Sequence, residues 1–138
     1  MVALASIIVG VDGTDPSWRA LAMAIGVASR ERGRVHACFV YHIPIPADGF
    51  VLAAPAVDLT PEEEGELGKT VREELELAGV SGDFTIRSGE IGHELEALAD
   101  ACRGDLIVVG RSRHPTLHLG GVPRQLLTKG RWPVLVVP

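Results

Sequence analysis

Apolar and polar positions divide the chain into two alternating kinds of segment. Short apolar runs rich in β-branched residues predict buried strands, and the stretches between them carry apolar residues at helical spacing. This alternation predicts one α/β domain over residues 1–138, a five-stranded parallel sheet with helices on both faces and right-handed crossovers. The predicted strands are Ser6–Val11, Val35–Tyr41, Asp83–Arg87, Leu106–Val109 and Val134–Val137.

Start and stop signals divide the remaining sequence into four helices. Proline follows the first residue of two of them, and glycine ends three of them. The predicted helices run from Asp15 to Gly33, from Thr60 to Gly79, from about Ile91 to Gly104 and from about Val122 to Lys129. The apolar faces expected for the first two are Trp18, Leu21, Ala22, Ile25 and Ala28, and Leu67, Val71, Leu75 and Ala78.

One long connection, Pro44–Leu59, has no hydrophobic period. A loop of this length in a compact domain is usually functional or mobile. Its apolar residues, Phe50 and Leu52 among them, suggest that it packs on its own domain, on a partner subunit or on a ligand. The simplest interpretation is a loosely packed surface flap.

Composition supports a globular protein with an aliphatic core. Of the 138 residues, 46% are hydrophobic, 22% are charged and only 4% are aromatic. The two cysteines, Cys38 and Cys102, are far apart in apolar surroundings, so we expect small buried hydrophobes and exclude a disulfide scaffold or a zinc ribbon. With neither a basic leader nor an apolar run long enough to span a bilayer, we expect a cytoplasmic protein without membrane contact.

The charge of the chain is unevenly distributed. The net charge of −5 is a poor match for nucleic acid or an anionic membrane, so neither is an expected partner. Residues 60–79 carry seven acidic against two basic residues, whereas residues 103–138 carry six basic residues against one acidic residue. The C-terminal quarter can therefore hold an anion.

Two strand ends carry the candidate chemistry, because ligands of open parallel sheets bind beyond the carboxyl ends of the strands. The first predicted strand leads through Gly10 and Val11 to Asp12. The Asp12 carboxylate either accepts hydrogen bonds from a nucleotide base or hydroxyl, or caps the turn. Asp15, at the start of the first helix, is expected to act only as a cap.

The fourth strand leads from Gly110 into a second candidate segment. Gly120 and Gly121 open a predicted helix whose free N–H groups and dipole favour an anion. The segment is either a phosphate site or a glycine-rich turn with solvated arginines. Three arginines can add charge-assisted contacts in the first case: Arg111, Arg113 and Arg124.

No signature of catalysis or metal binding emerges from the sequence. His114 and His118 are four residues apart, but Pro115 makes the shared helical face of a metal site improbable. A nucleophile elbow, a Walker loop, a dinucleotide-binding glycine pattern and a zinc-protease motif are all absent from the sequence. We therefore expect no enzyme, no catalytic residues and no metal site.

The residues nevertheless resemble one family. The opening Ile7–Ser17 with Ala20 and Leu21, the segment Asp105–Gly110, then Gly120–Val122 and the closing Pro133–Val137 look like universal stress proteins. The resemblance covers the chain apart from the Pro44–Leu59 loop. It implies a Rossmann-like fold of the adenine nucleotide alpha hydrolase-like type, a homodimer formed through the last strand, and a stress-response regulator that binds ATP between strands one and four.

Carried over by position, the resemblance also implies a set of binding residues. Asp12 would meet the adenosine, Val40 would line the adenine pocket, and the residues after strand four would surround ribose and phosphates. The expected site comprises Gly10, Val11, Asp12, Val40, Gly110, Arg111, Arg113, Gly120, Gly121, Val122 and Pro123.

The segment after strand four departs from the pattern of ATP-binding members, which is Gly, two residues, Gly, nine residues, Gly, then Ser or Thr. Gly110 matches the first Gly, but Arg113 replaces the second. Six residues then precede Gly120, and Gly121 replaces the Ser or Thr. Two main hypotheses follow: a dimer that binds ATP, with or without Mg²⁺, and a dimer of the same fold that binds no nucleotide and acts through an unidentified protein partner. A third hypothesis, a slow ATPase, ranks below both because the sequence offers no identifiable catalytic base.

Overall fold

A computed structural model describes residues 5–42, 59–111, 126 and 130–138. Five parallel strands form one sheet with the order β3-β2-β1-β4-β5, which confirms the predicted α/β fold. The strands are β1 (Ser6–Gly10), β2 (Arg34–His42), β3 (Ser81–Gly89), β4 (Leu106–Gly110) and β5 (Val134–Val137). The helices are α1 (Asp15–Glu31), α2 (Pro61–Ala78) and α3 (Ile91–Cys102).

The sheet is packed on both faces. Alternate residues of β1 point to opposite sides, so Ile7 and Val9 join the cluster under α1 and α2, whereas Ile8 joins the cluster under α3. Of the predicted fourth helix, Val122–Lys129, only Leu126 is among the described residues, and it is helical and buried against the α3 cluster. In the described part of the chain, no helix is long and apolar enough to cross a membrane.

The predicted starts of the first three helices are confirmed to within one residue. The cap expected at Asp15 is wrong, because Asp15 is the first residue of α1 and Thr14 before it caps the helix by accepting a hydrogen bond from the backbone N–H of Ser17. Thr60 and Glu63 form a capping box on α2, in which the Thr60 backbone N–H donates to the Glu63 carboxylate at 2.7 Å. Both helices have proline in the first turn, where its missing N–H costs nothing.

Two of the predicted helix ends are wrong by one residue. The left-handed residue that ends α1 is Arg32 (φ 53°) and the one that ends α3 is Arg103 (φ 52°), not the glycines that follow them. A Cβ on Gly33 would overlap the backbone carbonyl of Ala5. Glycine is therefore needed at position 33 for close approach to the chain before β1. The third prediction holds, because Gly79 ends α2 with φ 66°.

Several burial predictions also need correction. Ala22 and Ala78 are exposed, because the buried stripe of α1 runs through Ala20, Leu21 and Ala24 and that of α2 ends at Leu75. Cys38 is buried as expected, whereas Cys102, at the end of α3, is partly exposed. The third strand is longer than predicted and mostly exposed, because it forms one edge of the sheet.

Candidate functional site

The strand order reverses between β1 and β4. The chain adds β2 and β3 on one side of β1 and then crosses over to place β4 and β5 on the other. The crossover leaves a crevice beyond the carboxyl ends of β1 and β4, the usual place for a ligand in such sheets. Val9 of β1 pairs with Val108 of β4, so the same register sets Gly10, the end of β1, beside Val109, and β4 ends one residue farther along at Gly110.

At the end of β1, the Asp12 carboxylate holds the turn into α1. Its Oδ1 atom accepts from the backbone N–H of Thr14 at 2.9 Å and from the Thr14 hydroxyl at 2.6 Å. The Asp12 N–H donates to the Ser17 hydroxyl at 3.2 Å, a contact that the sequence did not predict. The Oδ1 atom of Asp12 thus caps the turn, as one of the two interpretations of this residue predicts. Since none of the described groups donates to Oδ2, that exposed oxygen remains able to accept from a ligand.

The end of β4 lies directly against the start of α1. A Cβ added to Gly110 would lie 2.6 Å from the carbonyl carbon of Pro16 and 2.8 Å from its carbonyl oxygen. Gly110 therefore allows helix and strand to meet, and that face is not open to a ligand. The corresponding face of Gly10 is also covered, because a Cβ there would lie 3.3 Å from a methyl group of Leu95.

The two valines of the expected site are largely core residues. Val11 packs with the α1 and α2 side of the sheet, and its N–H donates to the Cys38 carbonyl at 2.9 Å. Val40 packs on the α3 side and is 8% exposed. Their side chains therefore lie on opposite faces of the sheet and offer a ligand little surface.

Arg111, which directly follows β4, places a positive charge beyond the end of this strand. Its backbone N–H donates to the Val137 carbonyl at 2.7 Å, which continues the β4–β5 pairing, and the residue is exposed. The other residues expected around ribose and phosphates lie outside the described residues: Arg113, Gly120, Gly121, Val122 and Pro123.

The carboxyl end of β3 is closed by an ion pair. The Arg87 guanidinium donates to the Glu94 carboxylate at 2.8 Å, and this hydrogen bond raises the pKa of Arg87. Because the arginine is already neutralised by α3, this strand end is a weaker anion site than the end of β4.

A second concavity, which the sequence did not predict, lies between the first turns of α1 and α2. Its volume is about 310 Å³, and Trp18, Leu59 and Leu67 contribute apolar walls. Tyr41 holds this region together, since its hydroxyl lies 3.1 Å from the Leu59 carbonyl and contacts the Glu64 carboxylate. Trp18, predicted on the apolar face of α1, packs against the core but is only half-buried, and it also lines the concavity.

Comparison with known proteins gives one consistent result. A sequence model of the universal stress protein family matches residues 4–138. A universal stress protein of Methanocaldococcus jannaschii is 30% identical to this chain over 95% of its length and 80% of the relative. A structure from the same family in Burkholderia pseudomallei has 25% identity and a TM-score of 0.74, with 97% of this chain and 96% of that chain covered. A universal stress protein in complex with cAMP has 23% identity and a TM-score of 0.73, with 99% and 98% covered.

Proposed function

The chain belongs to the universal stress protein family, and from this membership we propose that it binds an adenine nucleotide at the carboxyl ends of β1 and β4. The observation that carries the proposal is the reversal of strand order between these two strands, which forms the crevice. Structures that share the fold support the choice of ligand, since members of the family have been solved with cAMP, with dAMP in Archaeoglobus fulgidus and with AMP in Arabidopsis thaliana.

The described residues of the crevice fit a nucleoside. The free Oδ2 of Asp12 accepts from an adenine amino group or a ribose hydroxyl, while Oδ1 keeps the turn in place. Val11 and Val40 are buried on opposite faces of the sheet, so they hold the strand ends in place and offer the nucleoside little contact surface. Arg111 adds positive charge on the β4 side, where the phosphates would lie.

ATP is the nucleotide that we propose, with any Mg²⁺ carried on its phosphates. Arg113 and the helix start that the sequence predicts at Gly120 and Gly121 would hold the phosphates, together with Val122 and Pro123. In this chain a guanidinium at position 113 replaces the backbone approach that glycine permits, so the phosphate contacts depend more on side-chain charge.

The proposal includes a homodimer formed through β5. This strand is an edge of the sheet, and Val136 is 37% exposed on it. An apolar edge strand is an aggregation hazard unless another chain covers it. The dimer would act in the cytoplasm as a stress-response regulator through its nucleotide-bound state, without catalysing a reaction.

Titration calorimetry with ATP and AMP tests the nucleotide site. Asp12→Ala removes a charged hydrogen-bond acceptor and should weaken binding roughly 10-fold or more. Asp12→Asn keeps an oxygen for the Asx turn and separates the loss of charge from loss of the turn. Asp15→Asn makes the same charge change three residues away and should leave the affinity unchanged. Full affinity in Asp12→Ala would exclude this carboxylate from the site.

A second function, a dimeric interaction module that binds no nucleotide, is favoured by one specific observation. The segment between Arg113 and Gly121 departs from the ATP-binding pattern in length and at two residues. Mass spectrometry on protein purified without added nucleotide distinguishes the two functions. Release of ATP, ADP or AMP on denaturation supports the nucleotide site, and a ligand-free protein that gives no heat with ATP supports the interaction module.

A further inference from the structure

The concavity between α1 and α2, called the groove from here on, is apolar inside and acidic at its rim. Its inner walls are formed by Trp18, Leu59 and Leu67. Its volume of about 310 Å³ lies at the lower end of the range of about 300–1,000 Å³ typical of ligand pockets, enough for one or two side chains of a partner. The rim carries four carboxylates, Asp12, Glu62, Glu63 and Glu66.

The rim charge is not compensated by neighbouring cations. No lysine, arginine or histidine lines the groove among the residues that the structure describes. Glu63 is engaged in the capping box, but Glu62 and Glu66 are exposed and form no ion pair within the described part of the chain. A cation entering the groove would therefore meet two free carboxylates above an apolar wall.

We propose that this groove docks an arginine-bearing segment of a protein partner. A long basic side chain matches both parts of the groove, since its methylene stem covers apolar surface while its charged head stays near water and carboxylates. The exposed part of Trp18 offers an aromatic surface to a guanidinium. Arginine suits the groove better than lysine, because its planar fork stacks on rings and pairs with carboxylates in two-pronged geometry.

The same charges separate this surface from the nucleotide crevice. The carboxylates of Glu62, Glu63 and Glu66 repel the phosphates of a nucleotide and the headgroups of an anionic membrane. The inference therefore does not depend on nucleotide binding. Asp12 is the one residue that borders both sites, so it is left unchanged in the test.

The test is a nuclear magnetic resonance titration of the whole chain with two tetrapeptide probes, acetyl-Leu-Arg-Arg-Leu-amide and its glutamine analogue acetyl-Leu-Gln-Gln-Leu-amide. The arginine probe should shift the indole N–H signal of Trp18, and the glutamine probe should not. Trp132 is an internal control, because it packs against the cluster under the opposite face of the sheet, beneath the Arg131 guanidinium.

Two double variants of α2 test whether the arginine probe binds in the groove. The double variant Glu62→Gln with Glu66→Gln should weaken binding of the arginine probe about fivefold, as expected for two solvent-exposed ion pairs. The matched variant Glu73→Gln with Glu74→Gln lowers the charge of the same helix equally and should leave the affinity unchanged. Circular dichroism verifies that both variants remain folded.

Several results would overturn the proposal. The first is a Trp18 signal that does not move at millimolar concentrations of the arginine probe, and the second is an equal shift with both probes. The third is an equal loss of affinity in both charge variants, which would mean that the probe is attracted unspecifically to an acidic helix. Spermidine serves as a small cation without a peptide backbone. If spermidine binds the groove and the arginine probe does not, the site takes small amines and the partner proposed here is wrong.

Discussion

The contact between Gly110 and the start of α1 allows a quantitative test of how the crevice is built. Gly110→Ala adds a single methyl group, which would lie 2.6 Å from the carbonyl carbon and 2.8 Å from the carbonyl oxygen of Pro16. Both atoms belong to the backbone, so no flexible side chain can move aside. Either the first turn of α1 or the end of β4 must shift.

The expected cost follows from overpacking. Extra methyl groups in well-packed sites cost about 1–3 kcal/mol, and a clash with backbone should lie in the upper part of that range. For a chain of 138 residues, 1 kcal/mol corresponds to roughly 3 °C in melting temperature. Gly110→Ala should therefore lower the melting temperature by about 6–9 °C.

Gly65→Ala is the matched control for this variant. Gly65 is an exposed residue inside α2, and a Cβ there would meet no atom within 4 Å. The same chemical change should therefore stabilise the protein by about 0.5–1 kcal/mol. Thermal and urea unfolding at constant protein concentration measure both effects. Equal effects in the two variants, or a neutral Gly110→Ala, would refute the packing role of Gly110.

Three further changes test other parts of the structure. Tyr41→Phe removes the hydroxyl that bonds the Leu59 carbonyl and should cost about 1–2 kcal/mol in urea unfolding, whereas an unchanged midpoint would contradict this role. Burial raises the pKa of the Cys38 thiol from 9.0 to about 11. The unfolded chain therefore loses this proton at a lower pH than the folded protein, and the contribution of the protonated thiol to the free energy of unfolding, complete below pH 9, is lost as the pH rises through 11. The loss should reach about 2–3 kcal/mol relative to Cys38→Ala, and parallel pH profiles would contradict it. Arg32→Gly relieves a left-handed residue at the end of α1 and should stabilise by about 0.5–1 kcal/mol, and a lower unfolding midpoint would contradict the assigned strain.

Hydrophobic periodicity predicted the strands and most of the helices because the core is aliphatic and continuous on both faces of the sheet. The details that it missed depend on tertiary position. Exposure of β3 follows from its place at the sheet edge, and strand order cannot be read from a local pattern. The left-handed ends at Arg32 and Arg103 were missed because the glycines beside them carry the usual stop signal.

The candidate site was only partly predictable. Asp12 at the end of β1 was singled out by its position after a buried strand, but the use of its Oδ1 atom in the turn depends on Thr14. Glycine at position 110 suggested approach of a ligand, and the structure instead brings Pro16 there. The groove beside Trp18 requires two helices that are distant in sequence, so no local pattern could indicate it.

Nucleotide binding at the ends of β1 and β4 is tested most directly by calorimetric titration of the purified protein with ATP in the presence of magnesium. We expect saturable binding, with an affinity that falls in Asp12→Ala and is retained in Asp15→Asn. Absence of binding heat with ATP, together with absence of any adenine nucleotide released from the denatured protein, would contradict it and leave the fold as an interaction module.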